Sequence, residues 1–344
     1  MDERSESRRA TVHDVARRAG VSLATVDRVL NGRPSVRAET ALRVEEAIRA
    51  LDFRRELSAS LLARARDLRL VFLIPDGHNA FMESLAAAVS RRAQAARNER
   101  LTLNVVPYHA LDPSALVARL EALDSRAVDC AVVVAPDDPG VARAIEDATE
   151  RGMAVLTLVS DLPGSARRHF IGIDNRAAGR SAASLLGRFC PQGKIGVIAG
   201  SLGLRDHRER CEGFIEVLGR EFPGLQIVGP IEALDDEEAT AAATRKLLRE
   251  PQLVGLYNLG AGNHGLLAAL EVHRRQGLRV IVHELTEATR AALQSGLVDV
   301  VLDQNPDAEI EASILAARQI ALSARAQVEA DPIEIGIFLR DNLR

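Results

Sequence analysis

Thr11-Val12-His13-Asp14-Val15-Ala16-Arg17-Arg18-Ala19-Gly20-Val21-Ser22-Leu23-Ala24-Thr25-Val26-Asp27-Arg28-Val29-Leu30-Asn31-Gly32 reads as two short helices joined by a tight bend. Thr11 and Ser22 each precede a helical pattern, where a hydroxyl accepts from a backbone N–H that the helix leaves unpaired. Gly20 stands where the chain must reverse, a place that favours glycine because the left-handed conformation carries no Cβ clash there. Val15, Ala16, Ala19, Val21, Val26, Val29 and Leu30 supply a small apolar face that holds the two helices together. This is helix-turn-helix grammar, in which the second helix is offered to the DNA major groove.

Working outward, the string continues into Pro34-Ser35-Val36 and a helical run from Glu39 to Leu51, with Ala41, Val44, Ile48 and Leu51 at helical spacing. The whole stretch resembles the LacI family of bacterial transcriptional regulators. That resemblance implies an all-α helix-turn-helix headpiece at 9–54, a hinge helix or linker at 55–67, and a periplasmic-binding-protein-like effector and dimerisation core at 68–344. It also implies contacts. Thr11, Ser22, Thr25 and Asn31 would bond phosphates and fix register without reading sequence. Leu23, Ala24 and Arg28 would face base edges, Arg28 by a bidentate pairing with guanine and the others against a thymine methyl. Asp27 departs from the small hydroxyl usual in the family, and an acid there either accepts from cytosine or orients Arg28. By position, Leu62 is the hinge leucine that wedges between base pairs in the minor groove. Arg55 and Glu56 stand where the family usually carries Pro-Asn.

Charge supports the division. Residues 1–66 hold 14 Arg and 10 acidic residues, a formal +4, whereas the other 278 hold 30 basic and 38 acidic, a formal −8. A basic module on an acidic body suits a DNA-binding head on a core that does not bind DNA. No run approaches the ~18 apolar residues of a membrane span, and the N-terminal segment MDERSESRRA has no apolar signal core. The expectation is a cytoplasmic protein. Cys130, Cys190 and Cys211 have no metal-ligand or disulfide spacing and read as buried free thiols.

From Leu68 the pattern changes to strands alternating with helices. Strand-like runs lie at 68–75, 101–108, 130–136, 154–160, 170–174, 194–200, 226–231, 253–259, 278–285 and 298–304. Amphipathic stretches fall between most of them. Buried apolar strands alternating with helices predict parallel sheets covered on both faces. Ten strands with a break near Leu162–Arg168 predict an α/β core of two doubly wound parallel-sheet subdomains. The expected N-subdomain spans about 68–165 and 300–325, and the C-subdomain about 166–295 and 326–344, with crossings near 161–170, 286–304 and 325–332. In such sheets ligands bind at the carboxyl ends of strands.

The family's sugar-binding relatives imply the site residues there. Asn79 would bond a hydroxyl and Phe81 stack on a sugar face, with Ser160 and Asp161 after the fourth strand. The segment Arg208-Glu209-Arg210-Cys211-Glu212-Gly213-Phe214 resembles the binding proteins' R-E-R-x-E-G-F, whose first arginine, here Arg208, reaches the ligand. Asn258, Glu284 and Gln304 would close the site, with Asp174 a weaker candidate that also suits a helix cap. This set suits a sugar, a polyol, or a sugar with one acidic group. The implied function is a ligand-responsive, sequence-specific DNA-binding transcriptional regulator, a repressor acting as a homodimer on an operator, without cofactor, metal or membrane.

Gly260-Ala261-Gly262-Asn263-His264-Gly265 supports one rival. It is a literal G-x-G-x-x-G after a strand, with Glu284 ending a following strand, and so fits a dinucleotide fingerprint. The alternative is therefore an NAD(H)-sensing repressor. No catalytic constellation appears: the eight histidines are scattered, and neither G-x-S-x-G nor the Walker spacing occurs.

Overall fold

The structure, a computed structural model, describes residues 11–30, 36–51, 67–77, 79–96, 99–273, 275–322, 328 and 332–343. Asn31, Leu62 and most of the proposed hinge at 55–67 lie outside the described residues. The chain divides into two compact units, one within 1–68 and 315–329 and the other within 69–314 and 330–344.

In the first unit, α1 (Val12–Ala19), α2 (Leu23–Leu30) and α3 (Ala38–Ala50) form the expected headpiece. Thr11 caps α1 reciprocally with Asp14: the Asp14 N–H donates to Thr11 Oγ1, and the Thr11 N–H donates to Asp14 Oδ2. Gly20 ends the helix at φ 64°, in the left-handed region. Ser22 Oγ accepts from the Thr25 N–H at 3.2 Å and so starts α2. Val15, Ala16, Ala19, Val26, Val44 and Ala47 are buried together, which ties the three helices into one small core.

The second unit holds two sheets. The first has the order β2-β1-β3-β4-β5, from β1 (Leu68–Asp76), β2 (Leu101–His109), β3 (Cys130–Val133), β4 (Ala154–Leu158) and β5 (His169–Ile171). The second has the order β11-β10-β9-β8-β6-β7, from β6 (Gly193–Ala199), β7 (Leu225–Glu232), β8 (Leu253–Asn258), β9 (Arg279–His283), β10 (Val300–Asp303) and β11 (Gly336–Phe338). β11 pairs antiparallel with β10, and β6 through β10 are joined in parallel. Between the strands run α4 (Ala80–Ala95), α5 (Pro113–Ala122), α6 (Pro139–Glu150), α7 (Asn175–Phe189), α8 (Arg205–Glu221), α9 (Glu237–Leu248), α10 (Asn263–Val272), α11 (Glu287–Ser295) and α12 (Pro306–Leu322). Asp112, Asp138 and Asp236 each cap the helix that follows, which is why these helices begin where they do. The three cysteines are free and buried.

Two expected boundaries move. The stretch 161–170 is not a crossing into the second sheet, because β5 still pairs with β4, Leu156 opposite His169 through Leu158 opposite Ile171. The chain leaves the first sheet only after Ile171. Residues 300–303 do not join the first subdomain either: β10 pairs with β9, Val300 opposite Ile281, and its apolar run is buried between β9 and β11. The next crossing therefore follows Asp303. A return segment runs beside the first, with the Ile333 N–H donating to the Gly172 carbonyl at 3.2 Å.

Candidate functional site

The exposed face of α2 is made by Leu23, Ala24, Asp27 and Arg28, while Val26 between them is fully buried. Leu23 is 41 % exposed, an apolar side chain held on the surface rather than in the headpiece core. Ser22 Oγ and Thr25 Oγ1 lie 2.9 Å apart at the start of the helix, with Thr11 at the start of α1.

In the second unit, the carboxyl ends of both sheets face one cleft. Asn79 and Phe81 enter from the start of α4, Ser160 from the end of β4, Asp206, His207 and Arg210 from α8, Asp235 from the loop after β7, and Glu284 and Gln304 from the ends of β9 and β10. Val159, Glu284 and Asn305 take positive φ angles of 65°, 70° and 59° at these strand ends. A left-handed conformation is costly for a non-glycine residue, above all the β-branched Val159, and such strain concentrates where side chains must be aimed. The void that these residues line is about 30 Å³. Asn79 Nδ2 reaches across it to Asp235 Oδ2 at 3.3 Å.

Ser160 Oγ, Asp206 Oδ1, Arg210 Nη2, Glu284 Oε2 and Gln304 Oε1 are buried and find no hydrogen-bond partner in the protein. Buried polar groups are normally paired, so five in one place mark a surface built to bond something else. Phe81, 5 % exposed, supplies an apolar wall. Gln304 Nε2 donates to Glu284 Oε1 at 2.8 Å. Burial pushes the Glu284 carboxyl up to about 8, helped by the Asp303 and Asp206 carboxylates and opposed by Arg210 and the Gln304 amide. Burial also raises Glu309 well above the ordinary carboxyl range, with Glu284 adding to the effect. The His283 imidazole falls well below its usual value, first through burial and then through Arg210 and His207.

Asn79, Phe81, Ser160, Glu284 and Gln304 thus meet as the sequence predicts. Four residues do not. Arg208 lies on the flank of α8, where its guanidinium bonds the Leu202 carbonyl and forms an ion pair with Asp137, both side chains more than a third exposed. The arginine in the cleft is Arg210, because α8 buries the stripe Asp206, Arg210 and Phe214 at a spacing of four. Asp161 is consumed locally: it accepts from Thr157 Oγ1 and the Leu162 N–H and pairs with Arg167. Asp174 caps α7 through the Ala177 N–H. Both aspartates line a different void, about 370 Å³, beside His169, Phe170 and Pro332. Asn258 lies fully buried beneath the loop it shapes, donating to the Ala261 carbonyl and Asn263 Oδ1, and does not line the cleft. Asp206, His207, Arg210 and Asp235 were absent from the sequence-based set. The helical period was the signal that placed the first three.

The glycine loop has a packing explanation. A Cβ at Gly260 would stand 2.5 Å from the Gly200 nitrogen, one at Gly262 would clash with Thr240 Oγ1, and one at Gly265 with the Glu237 carbonyl oxygen. The Ala261 N–H, which a dinucleotide phosphate would need, already donates to Asp235 Oδ1 at 2.8 Å. The NAD(H) reading is not supported.

Comparison with known proteins fits this arrangement. Residues 70–324 match the periplasmic binding protein domain, and residues 11–56 match the bacterial regulatory proteins of the lacI family. The chain belongs to the periplasmic binding protein domain family, with a lacI-family headpiece. Catabolite control protein A of Staphylococcus aureus is 43 % identical over 76 residues, 22 % of this chain and 23 % of that protein. The HTH-type transcriptional regulator GalS of Salmonella typhimurium is 29 % identical over 208 residues, 60 % of this chain and 59 % of that protein. The chain thus aligns with about a quarter of the former and under two thirds of the latter. Among solved structures, a solute-binding protein from Burkholderia graminis in complex with D-arabinose has a TM-score of 0.71 at 22 % identity, covering 81 % of this chain and 97 % of that one. A second, from Agrobacterium vitis, bound with α-D-tagatopyranose, has a TM-score of 0.71 at 17 % identity over 80 % and 96 %. At these identities the likeness is one of fold. Among the described residues no helix is long and apolar enough to cross a membrane.

Proposed function

We propose that this chain is a DNA-binding transcriptional repressor whose cleft takes a sugar or polyol effector. The observation that carries the effector half is the set of five unpartnered polar atoms converging on Phe81. One guanidinium donor, one hydroxyl and three carboxyl or amide oxygens share the cleft with one apolar wall, the kind of lining a polyhydroxylated ring requires. Arg210, Asp206, Ser160, Gln304 and Glu284 bond hydroxyls in this reading, and Phe81 stacks on the ring. The DNA half rests on the exposed face of α2 and the lacI-family match. Arg28 reads a base edge, Leu23 and Ala24 touch methyl groups, and Thr11, Ser22 and Thr25 hold phosphates. Two copies of the chain place two headpieces on a pseudo-palindromic operator. An effector changes operator affinity only insofar as it binds the two DNA-affinity states differently.

The test is selection of bound sequences from a random duplex library by the full chain, followed by a thermal-shift screen against sugars, polyols, sugar acids, sugar phosphates and NADH. A palindromic consensus and a shift with one sugar or polyol, lost in Gln304→Ala, are the expected results. Absence of any enriched sequence, or a shift with NADH alone, overturns the proposal.

A further inference from the structure

Phe81 and Glu284 line the cleft and also a second, outer void of about 330 Å³. Each is 5 % exposed, and together they stand between the two spaces. The inner void, about 30 Å³, has room for little more than one water, whose share of the liquid is about 30 Å³. The outer one falls within the ~300–1,000 Å³ usual for small-molecule sites.

The outer void follows from the sequence of the elements around it. Phe81, Ser84, Ala87 and Arg91 form one helical stripe of α4 along it. The small side chains at 84 and 87 leave a groove between the aromatic ring at one end and the guanidinium at the other. Facing them are Thr286 after β9 and Asp303 and Asn305 at the end of β10. Gln304, between the last two, lines the inner void instead, as alternation along an extended chain dictates.

These polar groups are fixed by the fold and keep capacity to bond. Ser84 Oγ donates to the Ala80 carbonyl at 2.8 Å, which leaves its oxygen as an acceptor. Asp303 is held by the Leu285 and Asn305 N–H groups at 3.0 and 3.1 Å. Asn305 Oδ1 accepts from the Ala308 N–H at 3.2 Å, so its amide nitrogen is the part left to donate. Arg91 is the cation lining this void, and Asp307 takes it at 2.7 Å. Glu284 and Asp303 then leave the space acidic, which opposes a phosphate or carboxylate and suits uncharged hydroxyls.

We propose that the outer void is a second sugar site, so that the effector is a neutral disaccharide or longer glycoside rather than a single sugar or a sugar phosphate. One ring bonds the inner polar atoms, the chain of the ligand passes Phe81 and Glu284, and the next ring lies on Ser84, Thr286, Asp303 and Asn305. This rests on the cleft being the effector site.

The experiment is isothermal titration of the full chain with neutral monosaccharides, with disaccharides carrying each of them at every linkage, and with their phosphate esters. At least one disaccharide should bind about tenfold or more tightly than its parent monosaccharide, and the phosphate esters more weakly than either. Ser84→Trp fills the groove, and Asn305→Asp keeps the helix cap while exchanging the amide donor for another carboxyl. In both variants the ratio of disaccharide to monosaccharide affinity should fall toward one. A monosaccharide that binds with no gain from any second ring overturns the outer site alone. So does a ratio that survives both substitutions, or a phosphate ester that binds more tightly than its neutral parent. Failure of every mono- and disaccharide to bind the wild type overturns the effector reading and this inference together.

Discussion

Replacing Arg210 with alanine should harm the protein far more than replacing Arg208, although the two stand two residues apart on one helix. Arg210 is 2 % exposed and its Nε and Nη1 each make a hydrogen bond, to Asn175 Oδ1 and to the Leu259 carbonyl. Hydrogen bonds from a charged donor contribute about 1.5–3 kcal/mol each. Removing the guanidinium also strips the positive charge that Glu284 and Glu309 face. Breaking a buried charge interaction from one side costs about 3–5 kcal/mol. Both carboxyls can stay protonated, which keeps the total in that range rather than at the sum of all terms. Arg208 forms a half-exposed ion pair with Asp137, of a kind that contributes about 0–1 kcal/mol. Urea denaturation of the two variants side by side, read by circular dichroism, checks the ordering. A gap of about 3 kcal/mol or more in favour of Arg208→Ala is the expected result. Equal losses, or a larger loss for Arg208→Ala, would refute the assignment of Arg210 as the buried anchor of the cleft.

Three further outcomes follow from the same geometry. His283 is held neutral in the fold below its ordinary 6.5, so the unfolded chain takes up a proton there first as pH falls. Its contribution is intact above about 6.5 and stability drops as pH falls below it, so thermal midpoints should decline on the acid side and decline less in a His283→Gln variant. Gly265→Ala drives a Cβ into the Glu237 carbonyl oxygen, between α10 and α9. Overpacking of this sort costs about 1–3 kcal/mol, visible as a lower urea midpoint with no change in NADH binding, because none is expected in either form. Arg28→Ala, on the exposed face of α2, should weaken operator binding by about 1–3 kcal/mol and relax specificity at one base position, with helix content unchanged. Fluorescence anisotropy on operator variants measures both. Uniform weakening on every sequence would instead make Arg28 a phosphate contact.

Much of this protein is local and therefore written in its sequence. The headpiece helices follow from Thr11, Ser22 and Gly20, whose capping and turning act within a few residues and need no distant partner. The parallel sheets follow from apolar runs alternating with helical stripes, since each run must be covered on both faces. Asn79, Phe81, Ser160, Glu284 and Gln304 were legible through the resemblance to sugar-binding relatives, and each follows a strand, whose carboxyl end carries it to the cleft. Tertiary structure decided the rest. Arg208 and Arg210 are equivalent in composition, and only the rotation of α8 against its sheet buries one and exposes the other. Asp161 sits after a strand as a ligand residue would, but Arg167, six residues on, takes its charge. The edge strand β5 and the last parallel strand β10 changed sheets relative to the expectation, because a short apolar run reads the same beside either neighbour. The glycine loop carries a nucleotide fingerprint in one dimension, and in three dimensions its close contacts are with Gly200, Asp235, Thr240 and Glu237. Sequence determines which side chains are available at the strand ends; the packing of one element on another decides which of them are left without partners, and hence which can bind.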